Sequence, residues 1–331
     1  MKLLLSSTLL LLGISLSAQM PGMMSMQAAT ADGTSLGANH TLATDGIALG
    51  NRVKMTGYVD FIFMYDDEDG GDQTEDFSTA SDVDFLFDLS PVTAELHLAM
   101  DSSDIGLEQA FGRYSFNNSF HLTFGRQLTS LGFEADEAPG LYATSFAYRY
   151  NDNGAGTDFR RNYKDGVRLN FNNGQFGLIF GLHDGYWANE DFNGDNIAID
   201  LAASAMIIPG LEAQLGYAQE EVGNDDISQF NAWISYNPND LTLAMEYDNF
   251  DILGTDYWAL MLLGNYQFVD WMGATLRYSH EDYNDTEADR ITLALLFTIT
   301  DNLFFNVEYS TTDVDGGNDY DEFYVEGLLT F

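Results

Sequence analysis

The chain contains no cysteine among its 331 residues, and only 12 residues are lysine or arginine. Without cysteine it can form neither disulfides nor thiolate metal sites. The 12 basic residues stand against 52 acidic ones, which gives a formal net charge of −40. Because like charges repel, this charge excludes nucleic acid or an anionic membrane surface as the main binding partner.

Long apolar runs are also missing beyond the start of the chain, so no transmembrane helix is predicted. The start itself is typical of a secretory signal peptide, with the basic Lys2 after Met1, an apolar stretch from Leu3 to Leu16 and the small residues Ser17 and Ala18. Residues 19–50 are rich in Met, Ala, Gly, Ser and Thr and have no period. We therefore expect a signal peptide over 1–18, a flexible periplasmic leader over 19–50 and a folded barrel domain over 51–331.

The chain does contain enough hydrophobic residues to fold, at 45% of the sequence with 14% aromatic residues. Many of them alternate with polar or small residues. In the segment that starts at Leu303, one face carries Leu303, Phe305, Val307 and Tyr309, and the other carries Phe304, Asn306, Glu308 and Ser310. A period of two with one apolar face predicts a β-strand that borders an apolar medium.

This pattern repeats along the second half of the chain. Tyr217, Tyr247, Tyr278 and Tyr309 end similar segments, and they are spaced by 30 or 31 residues. Such a period predicts a repeated β-hairpin, and it is shorter than the blade of a soluble propeller, at about 40 to 50 residues. A soluble sandwich would show the same alternation. The strand length of about ten residues and the aromatics at the strand ends favour a membrane barrel.

The predicted fold class is therefore all-β: a transmembrane antiparallel β-barrel of about 16 strands, with 14 left open. An even number places both ends of the barrel on the periplasmic side. The longest unpatterned connection, from Gln127 to Tyr163, then becomes a long third external loop. Loops of this length in a compact fold are usually functional.

Four segments between Leu107 and Trp187 resemble the OmpL-like outer-membrane β-barrel porin family of Gram-negative bacteria. They read LEQAFGRYSF (Leu107–Phe116), LTFGRQLTSLGFE (Leu122–Glu134), DGVRLNF (Asp165–Phe171) and FGLIFGLHDGYW (Phe176–Trp187). The resemblance is clearest over about residues 50 to 190. It implies a pore across the outer membrane, and it supplies no catalytic residues.

The basic residues give the sharpest candidate for a site, because seven of the 12 fall between residues 113 and 168. If the third external loop folds into the barrel, these bases and the acids of the loop would line a pore constriction. Internal salt bridges that hold the loop to the wall are the alternative explanation. The predicted constriction residues are Arg113, Arg126, Arg149, Arg160, Arg161, Lys164, Arg168, Glu134, Asp136 and Glu137.

Six acids alternate with apolar residues on predicted strands and are expected to line the lumen. They are Asp60, Asp84, Glu95, Asp200, Glu246 and Glu308. Strict alternation would point Arg126 outward, so a bulge at Gly125 is needed to turn it inward. Phe331, which follows Phe323, Val325 and Leu329 on one face, is expected to act as an assembly signal for the barrel insertion machinery.

The expected function is that of a porin: a water-filled channel for passive diffusion of small hydrophilic solutes or ions, with a modest cation preference. A non-channel structural or adhesive barrel with acidic surface loops is the alternative. The five histidines form no catalytic motif, so no enzyme is predicted, although a triad assembled from separate strands stays open. The acidic loops do not meet the spacing of a calcium loop, and no metal or cofactor is predicted. Outer-membrane lipid is the expected surrounding, and a homo-oligomer is left open.

Overall fold

The computed structural model describes residues 46–71, 73–148, 162–187, 197–223, 225–252, 254–283 and 286–331. The predicted signal peptide and most of the predicted leader lie outside these ranges. Across the described ranges the structure is all-β apart from a single 3-10 turn, Ala138–Gly140. No helix in this part of the chain has the length and apolar character needed to cross a membrane.

Seventeen strands form one sheet, and their lengths range from the two-residue β1 to the 16-residue β2. The first nine are β1 (Ile47–Ala48), β2 (Val53–Glu68), β3 (Thr74–Asp88), β4 (Val92–Met100), β5 (Ile105–Asn117), β6 (Phe120–Leu128), β7 (Tyr163–Asn172), β8 (Phe176–His183) and β9 (Ala198–Ile208). The remaining eight are β10 (Leu211–Val222), β11 (Asp225–Tyr236), β12 (Leu241–Ile252), β13 (Thr255–Val269), β14 (Met272–Tyr283), β15 (Thr286–Thr300), β16 (Leu303–Val314) and β17 (Tyr320–Thr330).

Strands β2 to β17 form a closed ring, in which each strand pairs antiparallel with the next and β17 pairs with β2. The closing seam ends where the backbone N–H and C=O of Phe331 bond to Gly57, at 2.9 and 3.0 Å. Strand β1 continues the same edge by pairing with Met55 and Lys54 at the start of β2. Closure leaves no free strand edge, which is what allows a sheet to span a lipid bilayer.

The two faces of the ring follow the predicted alternation. On β15, Leu293 and Leu295 point outward and are exposed, whereas Thr292 and Ala294 point inward and are buried. Aromatic rings mark both rims of the outward apolar band: Trp271 stacks on Phe297, and the Tyr309 hydroxyl donates to Asp321 at 2.9 Å. An apolar outer face between aromatic rims is the surface of a barrel embedded in lipid.

The predicted sixteen-strand count and the long third external loop are confirmed, but one strand starts much earlier than predicted. From the sequence alone, the acidic, glycine-containing stretch from Asp66 to Ser81 is interpreted as a loop. In the structure, Thr74 already pairs with Asp66, and β3 begins there. Strands that pair outside the apolar band need no hydrophobic pattern. The sequence therefore did not reveal the first residues of β3.

Candidate functional site: the lumen and its inner loop

Residues 129–148, the described part of the third external loop, fold into the barrel and are called the inner loop below. Its apolar side chains are buried: Leu131, Phe133 and Ala147 are exposed by 2% or less. Gly216 of β10 makes room for this path, because a β-carbon there would lie 2.0 Å from Cδ2 of Leu131. The loop therefore packs on the wall and does not project into solvent.

Acids on the barrel wall accept hydrogen bonds from the backbone of the inner loop. Glu246 accepts from the N–H of Phe133 at 2.7 Å. Glu308 accepts from the N–H groups of Thr144 and Ser145 at 2.6 and 3.0 Å. The carboxylates of Glu246 and Glu308 therefore satisfy backbone donors of the loop, so these acids act as anchors for it.

A second set of anchors is basic. Arg277 of β14 bonds to the carboxylate of Glu134, and it donates to the carbonyl oxygen of Phe146 at 2.9 Å. Glu134 also accepts from the N–H of Ala147 at 2.7 Å, so it ties two parts of the loop together. On the neighbouring strand, Arg290 pairs with Glu322 and lies 4.0 Å from Glu308. These buried charges are paired, which offsets much of the cost of removing them from water.

One side of the lumen is filled by an apolar core. Leu131, Phe133 and Tyr148 of the inner loop and Trp187 of the next loop pack against inward side chains of β9 to β13. The ring of Phe133 meets Trp233 edge-on at 5.6 Å between centroids. Inward residues on this wall are almost completely buried; Ala259 and Met261 have no exposed surface.

The opposite wall keeps more contact with solvent. Several inward side chains of β2, β3 and β4 are half-buried, a class that includes Lys54, Thr56, Tyr58, Ile62, Met64, Asp84, Glu95 and Ala99. The contrast with the filled β9–β13 wall indicates that the water-accessible part of the lumen runs along β2 to β4.

A cluster of ionisable groups lies on this accessible wall. His97 is 2.8 Å from Asp84 through Nδ1 and 3.3 Å from Glu95 through Nε2. The inner loop reaches the same wall through Glu137, which accepts a hydrogen bond from the Tyr163 hydroxyl at 3.2 Å. Burial, followed by the nearby carboxylates of Glu108 and Asp84, raises the pKa of Glu137 to about 8.

The predicted constriction residues are only partly brought together. Arg113 and Arg168 are buried on the inward face, where they lie 3.6 Å from Glu95 and 3.8 Å from Asp200. Lys164 is also inward and buried. These bases face acids of the wall, whereas Glu134 of the loop pairs with Arg277, and Asp136 and Glu137 are half-buried. Three predicted members lie outside the described residues: Arg149, Arg160 and Arg161.

Arg126 is not turned inward. The pairing of β6 with β5 and β7 shows no register shift at Gly125, so the bulge expected there is not formed. Arg126 stays on the outward-pointing set of β6, is partly exposed, and lies 3.5 Å from Asp165. The positive φ of Gly125, 121°, is accommodated without an extra residue in the ladder.

All six acids predicted to line the lumen lie on the inward face, but four of them are buried and only two keep contact with solvent. Asp200, Glu246 and Glu308 are exposed by 2% or less, because the inner loop and neighbouring side chains cover them. Asp84 and Glu95 keep partial exposure, and Asp60 is buried. Alternation concerns only the direction of a side chain, so it could not reveal what covers these acids.

Arg277 and Arg290 were missed by the sequence interpretation. Both lie outside the 113–168 stretch where basic residues cluster, and clustering was the criterion used. The available signal was alternation, because Arg277 follows Thr275 and Arg290 precedes Thr292 on the inward faces of their strands. In so acidic a barrel, a basic residue on an inward face is expected to pair with acids inside the lumen.

Ser130, His183 and Asp200 come together but not in the order of a catalytic triad. The Ser130 hydroxyl donates to one oxygen of Asp200 at 2.5 Å, and His183 Nε2 is 3.0 Å from the other. In a triad the histidine lies between the serine and the acid, since it must take the hydroxyl proton. Here the acid lies in the middle, which fits a structural role for all three.

The barrel is similar to solved outer-membrane proteins. OmpT of Vibrio cholerae in its trimer form has a TM-score of 0.60 at 15% identity, covering 85% of this chain and 100% of that one. An anion-selective porin from Comamonas acidovorans has a TM-score of 0.62 at 17% identity, with 84% and 99% covered. OmpF of Salmonella typhi, solved with daunomycin, has a TM-score of 0.61 at 13% identity, with 85% and 98% covered.

No protein-family model matches the chain, and no curated protein matches it in sequence. The resemblance to the OmpL-like family therefore stays a prediction. The closed barrel, its apolar outer band and the structural likeness together define a membrane-type β-barrel with the fold of outer-membrane porins.

Proposed function

We propose that the chain is a porin, whose water-filled passage for small hydrophilic solutes and ions runs between the inner loop and the wall formed by β2 to β4. The observation that carries the proposal is the contrast between the two walls: inward residues of β2 to β4 keep solvent contact, and those of β9 to β13 do not. Barrels of about 16 to 18 strands are wide enough to hold an aqueous channel.

A modest cation preference belongs to the proposal. The net charge is −40, and exposed acids such as Glu68, Asp69 and Glu75 lie at the external mouth. A mouth of one sign concentrates counter-ions near the entrance. The passage itself is mixed in charge, since Lys54 and His97 lie on the same wall as Asp84 and Glu95.

A non-channel barrel is the second candidate, and the apolar core inside the lumen favours it. Leu131, Phe133, Tyr148 and Trp187 fill one side of the barrel as a soluble protein fills its core. If this packing extends across the passage, the protein would act as a structural or adhesive barrel. We propose no catalytic role for either candidate, because Ser130 and His183 both bond to Asp200, which puts the acid and not the histidine in the middle.

Cysteine labelling in a planar bilayer tests the position of the passage, and the absence of native cysteine leaves no background. We expect single variants Thr56→Cys and Met64→Cys to react with a charged, membrane-impermeant methanethiosulfonate and to lose part of their conductance. Ala244→Cys and Ala259→Cys, inward on the filled wall, are the matched controls and should stay unreactive. A folded barrel without any conductance would favour the non-channel candidate.

Oligomer formation is a further part of the proposal. OmpT of Vibrio cholerae has been solved in a trimer form. The outer face of this barrel has an apolar depression between β6 and β11, lined by side chains such as Leu178, Leu201, Leu215 and Phe230. Another barrel or lipid chains could cover it, and cross-linking in native membranes would distinguish the two.

A further inference from the structure

Three carboxylates from three separate elements meet at the accessible wall. They are Asp82 of β3, Glu108 of β5 and Glu137 of the inner loop, and one oxygen from each lies within 4.8 Å of the others. Asp82 has no exposed surface. Within the described residues, neither carboxylate oxygen of Asp82 has a hydrogen-bond partner. The same holds for Oε2 of Glu108.

This cluster differs from the other acids that the inner loop covers. Glu308 accepts from two backbone N–H groups, and Glu246 accepts from one and from the Asn231 amide at 2.9 Å. Where the loop meets those acids, the fold supplies donors. The neighbours of Asp82 include the carboxylates of Asp84, Glu108 and Glu137, which as anions can only accept. Burying such a group without a donor or a cation is costly, and native structures rarely do so.

Basic side chains near the cluster are engaged by other groups. Arg113 lies 3.6 Å from Glu95, and His97 lies between Asp84 and Glu95. The Nε of Arg126 donates to the backbone carbonyl of Glu108 at 3.1 Å, while its Nη1 faces Asp165. None of these contacts is made to the carboxylate of Asp82.

We propose that Asp82, Glu108 and Glu137 bind a divalent cation of the calcium type, which ties the inner loop to strands β3 and β5. Three carboxylates offer only oxygen ligands, and calcium takes six to eight oxygens in flexible geometry at about 2.3 to 2.6 Å. Three acids on separate elements can close around such an ion by small side-chain movements. Water would complete the coordination shell on the side of the passage.

A neighbouring group, Asp82, Asp84 and His97, is the weaker choice for the same ion. Its members also lie within 4.8 Å of one another, and an imidazole ligand would favour zinc or a similar transition metal. Both ring nitrogens of His97, however, already face carboxylates at 2.8 and 3.3 Å. A metal there would have to displace one of these contacts.

Calorimetry on the folded, full-length barrel in detergent, after treatment with EDTA, tests the site. We expect calcium chloride titrated in potassium chloride buffer to show saturable binding of one ion, with affinity at least tenfold lower in Glu137→Gln and in Glu108→Gln. The two variants lie on different elements, so either one suffices if the other does not fold. The double variant Asp67→Asn, Asp69→Asn removes two charges at the far end of β2, away from the cluster, and should leave this binding unchanged.

The same samples supply a readout for the loop. Calcium should raise the thermal unfolding midpoint of the unmodified barrel and should not raise that of Glu137→Gln. Equal calcium affinities for the unmodified protein and both glutamine variants would overturn the proposal. The carboxylates would then be held together by protons that they share. Tighter binding of zinc chloride that His97→Gln abolishes would also overturn it, since the metal would then belong to the neighbouring group.

Calcium binding does not depend on the barrel being a channel. Only its effect on conduction rests on the proposed function: chelation should change the conductance if the loop borders the passage. A barrel that binds calcium and conducts nothing would refute the channel and keep the site. A barrel that conducts and shows no saturable calcium binding would refute the site and keep the channel.

Discussion

At the scale of single residues, the acids of this barrel have two different roles. Those near the ends of the strands and on the loops, such as Glu68 and Asp69, are exposed and contribute mainly to net charge. Those on the inward faces of β12 and β16 hold the inner loop by accepting its backbone N–H groups. The low-dielectric interior strengthens such bonds, so their removal costs more than that of a surface ion pair.

Replacing Glu308 tests this role. Glu308→Ala would leave the N–H groups of Thr144 and Ser145 without their acceptor and would remove a charge near Arg290. We expect the free energy of unfolding to fall by about 3 kcal/mol. This loss of stability is measured by urea unfolding in lipid vesicles, which is monitored by tryptophan fluorescence. Glu287→Ala, on the exposed end of β15, is the control and should change stability by less than about 0.5 kcal/mol.

At the scale of elements, the register of each strand decides which side chains meet lipid. The pairing of β15 with β16 places Leu295 opposite Val307 on the outer face and Ala294 opposite Glu308 on the inner face. From the sequence alone, arginine at Ala294 would be expected to face water and be tolerated. The structure gives Ala294 no exposed surface, so it offers no space for arginine.

Arginine at Leu295 should destabilise the inserted barrel by about 2 to 4 kcal/mol, because its charge would face the lipid near the middle of the membrane. Leu296→Arg is the matched control, since Leu296 lies one residue further, points inward and borders a small cavity next to Leu141. We expect a clearly smaller loss for Leu296→Arg in vesicle unfolding titrations. Similar losses at both positions would mean that the assigned faces of β15 are wrong.

At the scale of the whole molecule, the charge of −40 acts on ions that approach the barrel. Exposed charges act over about 8 Å at physiological ionic strength, so the external mouth influences entry more than the far side of the barrel does. The passage along β2 to β4 carries bases as well as acids, which limits how strongly it can select. We therefore expect the mouth to set a modest cation preference.

Reversal potentials across a salt gradient measure this preference. The unmodified protein should favour cations, and the preference should weaken as total salt rises, because screening shortens the reach of the loop charges. Asp67→Asn combined with Asp69→Asn should reduce it at low salt. The pair Asp67→Glu, Asp69→Glu keeps both charges and should behave like the unmodified protein. An anion preference in the unmodified barrel would show that the buried bases control permeation.

The sequence by itself determined the barrel, its strand count and the outward or inward direction of most side chains. It could do so because a strand between lipid and water must alternate, and the alternation of Leu293, Leu295 and Val307 is visible without any structure. The early start of β3 was missed because pairing beyond the lipid band leaves no such pattern.

Only the tertiary structure decided the path of residues 129–148 and therefore which charges meet. Glu134 pairs with Arg277, and Glu137 lies next to Asp82 and Glu108, although these residues are far apart in the sequence. A loop has no period that links its residues to a particular strand, and its position depends on packing against many strands at once. The anchors of the inner loop and the three-carboxylate cluster follow from that packing, because closing the ring brings distant strands around one shared interior.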